Sequence, residues 1–426
     1  MASITVMGAH AQTVTLAFSA SANLALAKQL AGAMTASIAA HTTLAFSSLD
    51  GPPPSLPSGK IGEYAVQSAG STLLPAGYKS VVVAYPNSFV LGSGDNGESV
   101  LSGSGGLTFL APAGSGTVVA GGGNNDILIT PGSTGAWAIA TGDGNDTIYA
   151  TGNGNDTIQP GAGRNTILLG AGNDFVKLGG YDNVSAGAGA TTIDASGARS
   201  AYIQGGTGSL LFIGGDGPAT VFGGAGSATV VGDRDAGPLE AHGGAAGHNL
   251  LIAGGGAATL FGGGDGDLLI AGGSNQELHA GWGNETLMAA IGSGGDTLYG
   301  GAGRDLMIGG AGSDVFFAGS GAATMTGGGH GDLFAFIDGA AGGQDLIVDF
   351  TAGDLIGLEG YGKQEIQQAL RSQTVGPHGV TITLSDRTAI TFAGLGSLRA
   401  RDFVTLDSGL DCGDDDSNIF HRFGNS

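Results

Sequence analysis

The chain has 426 residues, of which 87 are glycine, 41% are hydrophobic and only 12% are charged, and its formal net charge is −22. Glycine does not fall at every third position and there are only 12 prolines, which excludes a collagen helix, while regularly spaced hydrophobic residues exclude a disordered chain. Charge of almost one sign excludes nucleic acid as a partner and favours hard, oxygen-seeking cations.

A lone cysteine, Cys412, leaves no internal disulfide to form. No apolar run reaches the ~20 residues of a membrane span. No basic residue precedes Lys28, so no cleavable signal peptide is expected, and export needs a route without one.

In chain order, "ITVMGAH" and "QTVTLAFS" read as strands, and Ser21 to Ala40 as an alanine-rich amphipathic helix with Leu24, Leu30, Met34 and Ile38 on related faces. "DGPPPSLPSGK" reads as a linker or rigid turn. Residues 1–86 are therefore expected to form a small N-terminal α/β cap or assembly module covering the open strand edges of the repeats beyond it.

From residue 87 to 337 the chain repeats a nine-residue phrase, Gly-Gly-x-Gly-x-Asp-x-apolar-x. "GGAGRDLMIGGAGSDVFF" states it twice. The apolar eighth position runs through Ile148, Ile158, Ile167, Val176, Val184, Ile193, Ile203, Phe212, Val221 and Val230, and after "GDRDAGPLEAHGG" resumes at Leu251 and continues to Phe334. Weaker copies reach back through Leu128, Val118, Phe109, Val100 and Val90. A helix cannot carry this pattern, since each interior glycine costs about 1 kcal/mol against alanine. A three-residue strand and a glycine turn can, with alternate strand residues pointing inward. Two nonapeptides then make one coil, and coils stack ~4.8 Å apart. The fold class is all-β: a parallel β-roll or β-solenoid with an N-terminal α/β cap and a C-terminal β cap.

Residues 338–408 begin with "GGQDLIVDFTAGDLIGLEGYG", followed by a short helix at Glu365 to Ser372. Strands "GVTITLSD" and "RTAITFAGL" then pair around Asp386-Arg387, giving a C-terminal cap. Residues 409–426 are read as a mobile tail.

The sixth position carries the chemistry. It reads Asp126, Asp146, Asp156, Asn165, Asp174, Asn183 and Thr191, then alanine, leucine or asparagine, then Asp267, Gln276, Glu285, Asp296, Asp305, Asp314, Ala323 and Asp332. Calcium takes six to eight oxygens at about 2.3–2.6 Å. A turn of this type offers carbonyls and a carboxylate, and two turns one coil apart can enclose an ion. The expected same-edge pairs are Asp156 with Asp174, Asp296 with Asp314, Glu285 with Asp305, Asp314 with Asp332 and, with one charge fewer, Asp146 with Asn165. A plain turn-forming role is the alternative for each acid, most of all for the isolated Asp126 and Asp267. The acid-free middle block, as in "GGDGPATVFGGAGSATVV", is read as metal-free coils.

"TGNGNDTIQ", "GGAGRDLMI" and "GGAGSDVFF" resemble the RTX, or hemolysin-type, calcium-binding repeat, and "GGQDLIVDFTAGDLIGL" resembles the segment that closes such repeats. The resemblance spans about Thr141 to Leu358 and implies a calcium-filled parallel β-roll and bacterial type I secretion through an uncleaved C-terminal signal.

"GSGDNG" matches a dinucleotide fingerprint, but the strand-like "ESVLSG" comes directly after it. No His-Glu-x-x-His or Gly-x-Ser-x-Gly motif occurs, so no catalytic residue is assigned and the chain is not expected to be an enzyme. The expected function is a secreted, extracellular or cell-surface calcium-binding structural protein that folds on calcium. It acts in a surface layer, as an adhesin or in a filament, with calcium ions, other copies of itself or a cell-surface glycan as partners. The alternative is a polysaccharide-binding or polysaccharide-modifying β-helix.

Overall fold

A computed structural model describes residues 2–18, 23–233, 237–289 and 294–406, so the expected tail and the start of the expected helix at Ser21 lie outside the described residues. The chain divides into two compact units, Met1–Val221 and Phe222–Ser426. Each is a parallel β-solenoid.

In the first unit, Ala2–Met7 and Thr13–Phe18 pair antiparallel, and the helix α1 (Leu24–Ala39) packs beside them. The buried spine of α1 is Ala27, Ala31 and Met34, with Leu24 and Leu30 partly buried alongside. Alanine at the contact lets the helix lie close to the hairpin residues Ile4, Val6, Leu16 and Phe18. Beneath them sit Ala65, Val82, Leu101 and Val119, one from each of four successive coils.

Coiling starts with the parallel pair Thr43–Ser47 and Ile61–Val66. From there successive strands alternate between two parallel sheets, and each strand pairs with the next but one. In one sheet the inward rung runs Val81, Val100, Val118, Ile139, Ile158, Val176, Ile193 and Phe212. In the other it runs Val90, Phe109, Ile127, Ile148, Ile167, Val184 and Ile203. All are at most 1% exposed, so every coil seals one such side chain per sheet, each worth about 1.5–3 kcal/mol.

The register corrects one expectation. Leu128 is not the inward residue of its strand; it is 37% exposed, and Ile127 takes the rung. A slip of one residue moves a strand's whole alternation to the opposite face.

The second unit repeats the plan. One rung runs Val230, Leu251, Leu269, Leu287, Met307, Met325, Ile347 and Phe392. The other runs Ala241, Leu260, Leu278, Leu298, Phe316, Phe334, Ile356 and Phe403. Parallel pairing thus passes through "GGQDLIVDFTAGDLIGL" and on to Phe403–Leu406. Between these strands lie the helix α2 (Glu365–Arg371) and the antiparallel hairpin of Gly379–Thr383 with Ala389–Ala393. On the outer face Phe222, His242, Phe261, His279, Tyr299 and Phe317 stack ring on ring, with centroids 4.2–4.8 Å apart.

The turns show why glycine dominates. At Gly163 φ is +114°, and a Cβ there would run into the Gly144 carbonyl one coil away. Only glycine satisfies both demands.

Candidate metal centre

The sixth position faces inward, one pleat before the apolar rung. Asp146, Asp156, Asn165, Asp174, Asp267, Glu285, Asp296, Asp305, Asp314 and Asp332 are each at most 3% exposed. Where the acid is missing the same place is filled by the apolar Ala201, Leu210, Ala219, Ala228 and Ala258 or by the uncharged polar Thr191, Asn249 and Gln276, all of them buried. From Ala201 to Ala228 the middle block therefore exchanges a carboxylate for a second hydrophobic rung.

Residues one coil apart meet in a repeated way. The backbone N–H of the upstream residue donates to the side-chain oxygen of the downstream one. Asp156 donates to Asp174 Oδ1 at 2.9 Å, Asp296 to Asp314 Oδ1 at 2.8 Å, Asp314 to Asp332 Oδ1 at 2.8 Å, and Glu285 to Asp305 Oδ1 at 3.0 Å. Asp146 donates to Asn165 Oδ1 at 3.0 Å. All five pairs expected from the spacing are brought together.

The second carboxylate oxygen behaves differently. Oδ2 of Asp146, Asp174, Asp296 and Asp305, and both carboxylate oxygens of Glu285, are buried without a hydrogen-bond partner. Asp314 Oδ2 accepts from Gly310 N at 2.8 Å, and Asp267 Oδ2 from Gly263 N at 2.6 Å. Burying unpaired anions is costly, and the acids respond by holding their protons. Burial pushes Asp156, Asp296 and Asp332 up to about 7 and Asp146 up to about 6. Burial and the adjoining Asp305 carboxyl push Glu285 up to about 8.

A cradle lies beside these oxygens. A Cβ added to Gly309 would fall 2.5 Å from Asp314 Oδ2 and collide with the Gly327 carbonyl oxygen of the next coil. At Gly300 it would fall 2.5 Å from the Ala318 oxygen and 3.5 Å from Asp305 Oδ2. The first glycine of the repeat thus leaves room bordered by a carboxylate oxygen and a carbonyl oxygen, the donor set a hard cation takes. Among the described residues no three His, Cys, Asp or Glu side chains converge on one point, so backbone carbonyls must complete any coordination shell.

Two residues differ from the sequence reading. Asp126 is exposed; the inward position in its turn belongs to Asn125, whose N–H and side-chain amide both donate to Asp146 Oδ1. Asn183 is likewise exposed, and Asp182 is the buried acid, accepting from Asn165 Nδ2 at 2.7 Å and from Gly179 N and Gly180 N. In both turns the inward residue lies one place before the expected one.

Two further acids extend the ladder. Asp345 Oδ1 accepts from Ala323 N at 2.8 Å and Asp354 Oδ1 from Asp332 N at 2.9 Å, each 22 residues downstream of its partner. Their spacing is longer than that of the nonapeptide pairs. The signal that could have found them is the apolar residue two places on, Ile347 and Ile356.

A family model for the RTX calcium-binding nonapeptide repeat (4 copies) matches residues 138–166, 150–180 and 290–325. No curated protein matches the chain. The matched segments contain Asp146, Asp156, Asn165 and Asp174 in the first unit and Asp296, Asp305 and Asp314 in the second, all of them buried.

Proposed function

The chain carries RTX calcium-binding nonapeptide repeats wound into a parallel β-solenoid, and from that premise we propose that it is a secreted bacterial structural protein whose coils lock on calcium outside the cell. The observation that carries this reading is the set of unpartnered, inward carboxylate oxygens at Asp146, Asp174, Glu285, Asp296 and Asp305. Without a cation they must be protonated or repel. With one, they and the adjoining carbonyls are satisfied together. The ligands proposed are Asp146, Asp156, Asn165 and Asp174 in the first unit, and Asp267, Glu285, Asp296, Asp305, Asp314 and Asp332 in the second.

Extracellular modules bind calcium at about 10⁻⁴–10⁻³ M, a range that leaves such sites empty in the cytosol and filled outside. Binding and folding are then one equilibrium. The role proposed is mechanical rather than enzymatic: a surface layer, adhesin or filament built from calcium-stiffened coils. Circular dichroism in chelator and in millimolar calcium tests the coupling, and electron microscopy of the calcium form tests assembly. A β signal indifferent to calcium would remove the basis of the proposal.

One observation favours the polysaccharide reading. An open groove of about 650 Å³ is lined by the polar Asn284, Glu285, Thr286, Arg304, Asp305, Thr324 and Gln344 and by Leu306 and Ala322, a mixed surface of the kind that takes both the hydroxyl groups and the apolar face of a sugar. Both acids are at most 3% exposed, which favours binding over catalysis. Reducing ends released from a polysaccharide panel by dispersed monomers would decide for an enzyme.

A further inference from the structure

In the first unit the residue after the rung is apolar and covered. Ala65, Val82, Leu101 and Val119 lie under the hairpin and α1, and each is at most 1% exposed. In the second unit the residue after the rung is as apolar and larger. In the sheet that begins at Val230 it runs from Val231 through Ile252, Ile270, Met288 and Ile308 to Val348. The residue before the rung, from Thr229 to Leu346, is always leucine or threonine, with Leu250, Leu268, Leu306 and Leu346 the large ones. Strand alternation turns both rows outward. None of these side chains is buried; Leu306 is 38% and Val348 42% exposed. Among the described residues nothing seals this face as α1 seals the first.

Neither row holds a charged residue, in a chain of net charge −22. The borders are polar: Asn284, Arg304 and Gln344 stand two places before the leucine and threonine row, and Asp349 follows Val348. Seven strands ~4.8 Å apart, each showing two residues ~7 Å apart, make a stripe of roughly 35 by 14 Å, about 500 Å². An exposed apolar patch of this size with a polar rim marks an interaction surface.

We propose that this stripe is where a second copy of the chain docks, face against face. The inference rests on the assembling role proposed above and names the surface that role uses. Copies this acidic repel one another, and an uncharged face is where they can touch without a like-charge cost. A second copy also brings a stripe of equal length, width and character. Two such stripes bury about 1,000 Å² together, the lower bound for a specific interface, so pairing is reversible. A membrane surface would call for lysine, arginine or tryptophan, and neither row has any. Thr286, Leu306 and Thr324 also border the open groove, so the paired form keeps a sugar out of it.

The test is sedimentation velocity of the full chain in calcium, from micromolar to near-millimolar protein. The wild-type chain should show a reversible monomer–dimer equilibrium. Ile252→Glu and Ile270→Glu should each abolish it. The double variant Ile252→Thr with Ile270→Thr stays β-branched and uncharged, serves if a glutamate variant fails to fold, and should raise the dimer Kd roughly tenfold or more. Tyr149→Glu, at an exposed residue of the first unit, should change nothing. Circular dichroism and the bound-calcium count check that each variant is folded. Added salt screens the repulsion and should tighten pairing; pairing weakened by salt would point to charged contacts and overturn the assignment. Association equal in the wild-type chain and in folded glutamate and threonine variants would overturn this face and leave the assembling role standing. A wild-type chain that stays monomeric throughout would overturn both. A monomer that sediments with phosphatidylcholine vesicles would make the occupant a lipid surface and overturn the second copy.

Discussion

Asp296→Asn separates an ion ligand from a turn former. Asp296 Oδ1 accepts from Gln276 N at 2.8 Å, and Oδ2 is buried without a partner. Asparagine keeps the first contact and removes the charge from the second. Burial holds the acid at about 7, some 3 units above its ordinary value near 3.9, so ionising it in the metal-free fold costs on the order of 4 kcal/mol. That figure is an upper bound, because water admitted to the turn shares the charge; a gain of roughly 2 kcal/mol for the metal-free variant at about pH 8 is the expected outcome. For a unit of this size it raises the midpoint of thermal unfolding by about 4–8 °C. In millimolar calcium the sign reverses, since the variant has lost a charged ligand, and affinity at that site falls by about tenfold or more. Thermal melts followed by circular dichroism, run in chelator and in calcium, measure both. If Asp296→Asn leaves the midpoint unchanged in both buffers, the residue is only a hydrogen-bonding turn former and the reasoning fails.

The same acids set a pH dependence of defined sign. Asp156, Asp296 and Asp332, pushed up to about 7, hold protons in the fold that the unfolded chain releases near 4, so metal-free stability is full below about pH 4 and declines as pH climbs to about 7; urea melts in chelator should show this, and calcium should flatten or reverse the slope. Gly309→Ala places a methyl group 2.5 Å from Asp314 Oδ2 and against the Gly327 carbonyl, and should cost about 1–3 kcal/mol with a loss of calcium response on titration. Gly32→Ala, in α1 with nothing within 4 Å of the new carbon, should instead stabilise by up to about 1 kcal/mol in denaturant melts. Asp126→Asn, at an exposed residue, should change stability by less than about 0.5 kcal/mol and leave the bound-calcium count unchanged, whereas Asn125→Ala strips a donor from Asp146 Oδ1 and should cost about 1–3 kcal/mol.

Much of this architecture is readable in the repeat. A period of nine with the apolar residue at a fixed phase forces two-fold coiling, and the five acid pairs come from a separation of one coil. The failures are local slips. "GGGNNDILI" offers Asn125 and Asp126 side by side, and "YDNVS" offers Asp182 and Asn183. In a strand of period two the wrong choice points the side chain into water, and chemical type alone favours Asp126. Asp345 and Asp354 are hidden because their coils are longer: a 22-residue step carries extra turn residues and breaks the nine-residue count. In α1 the larger side chains mark the amphipathic face, while the close contacts fall to Ala27 and Ala31.

The donor-to-carboxylate ladder has a direction. Gln276, Asp296, Asp314 and Asp332 each depend on an acceptor carried by later-synthesised sequence. Truncation from the C-terminal side therefore removes that acceptor and leaves the N–H at an open strand edge. Truncation from the N-terminal side bares a carboxylate oxygen together with the neighbouring N–H, as at Asp332 and Leu333 if the coil holding Asp314 is lost. Adjacent coils are therefore tied in both senses: the next residue of each later turn, Thr297, Val315, Leu333 and Leu355, donates its own N–H back to the carbonyl of Gln276, Asp296, Asp314 and Asp332.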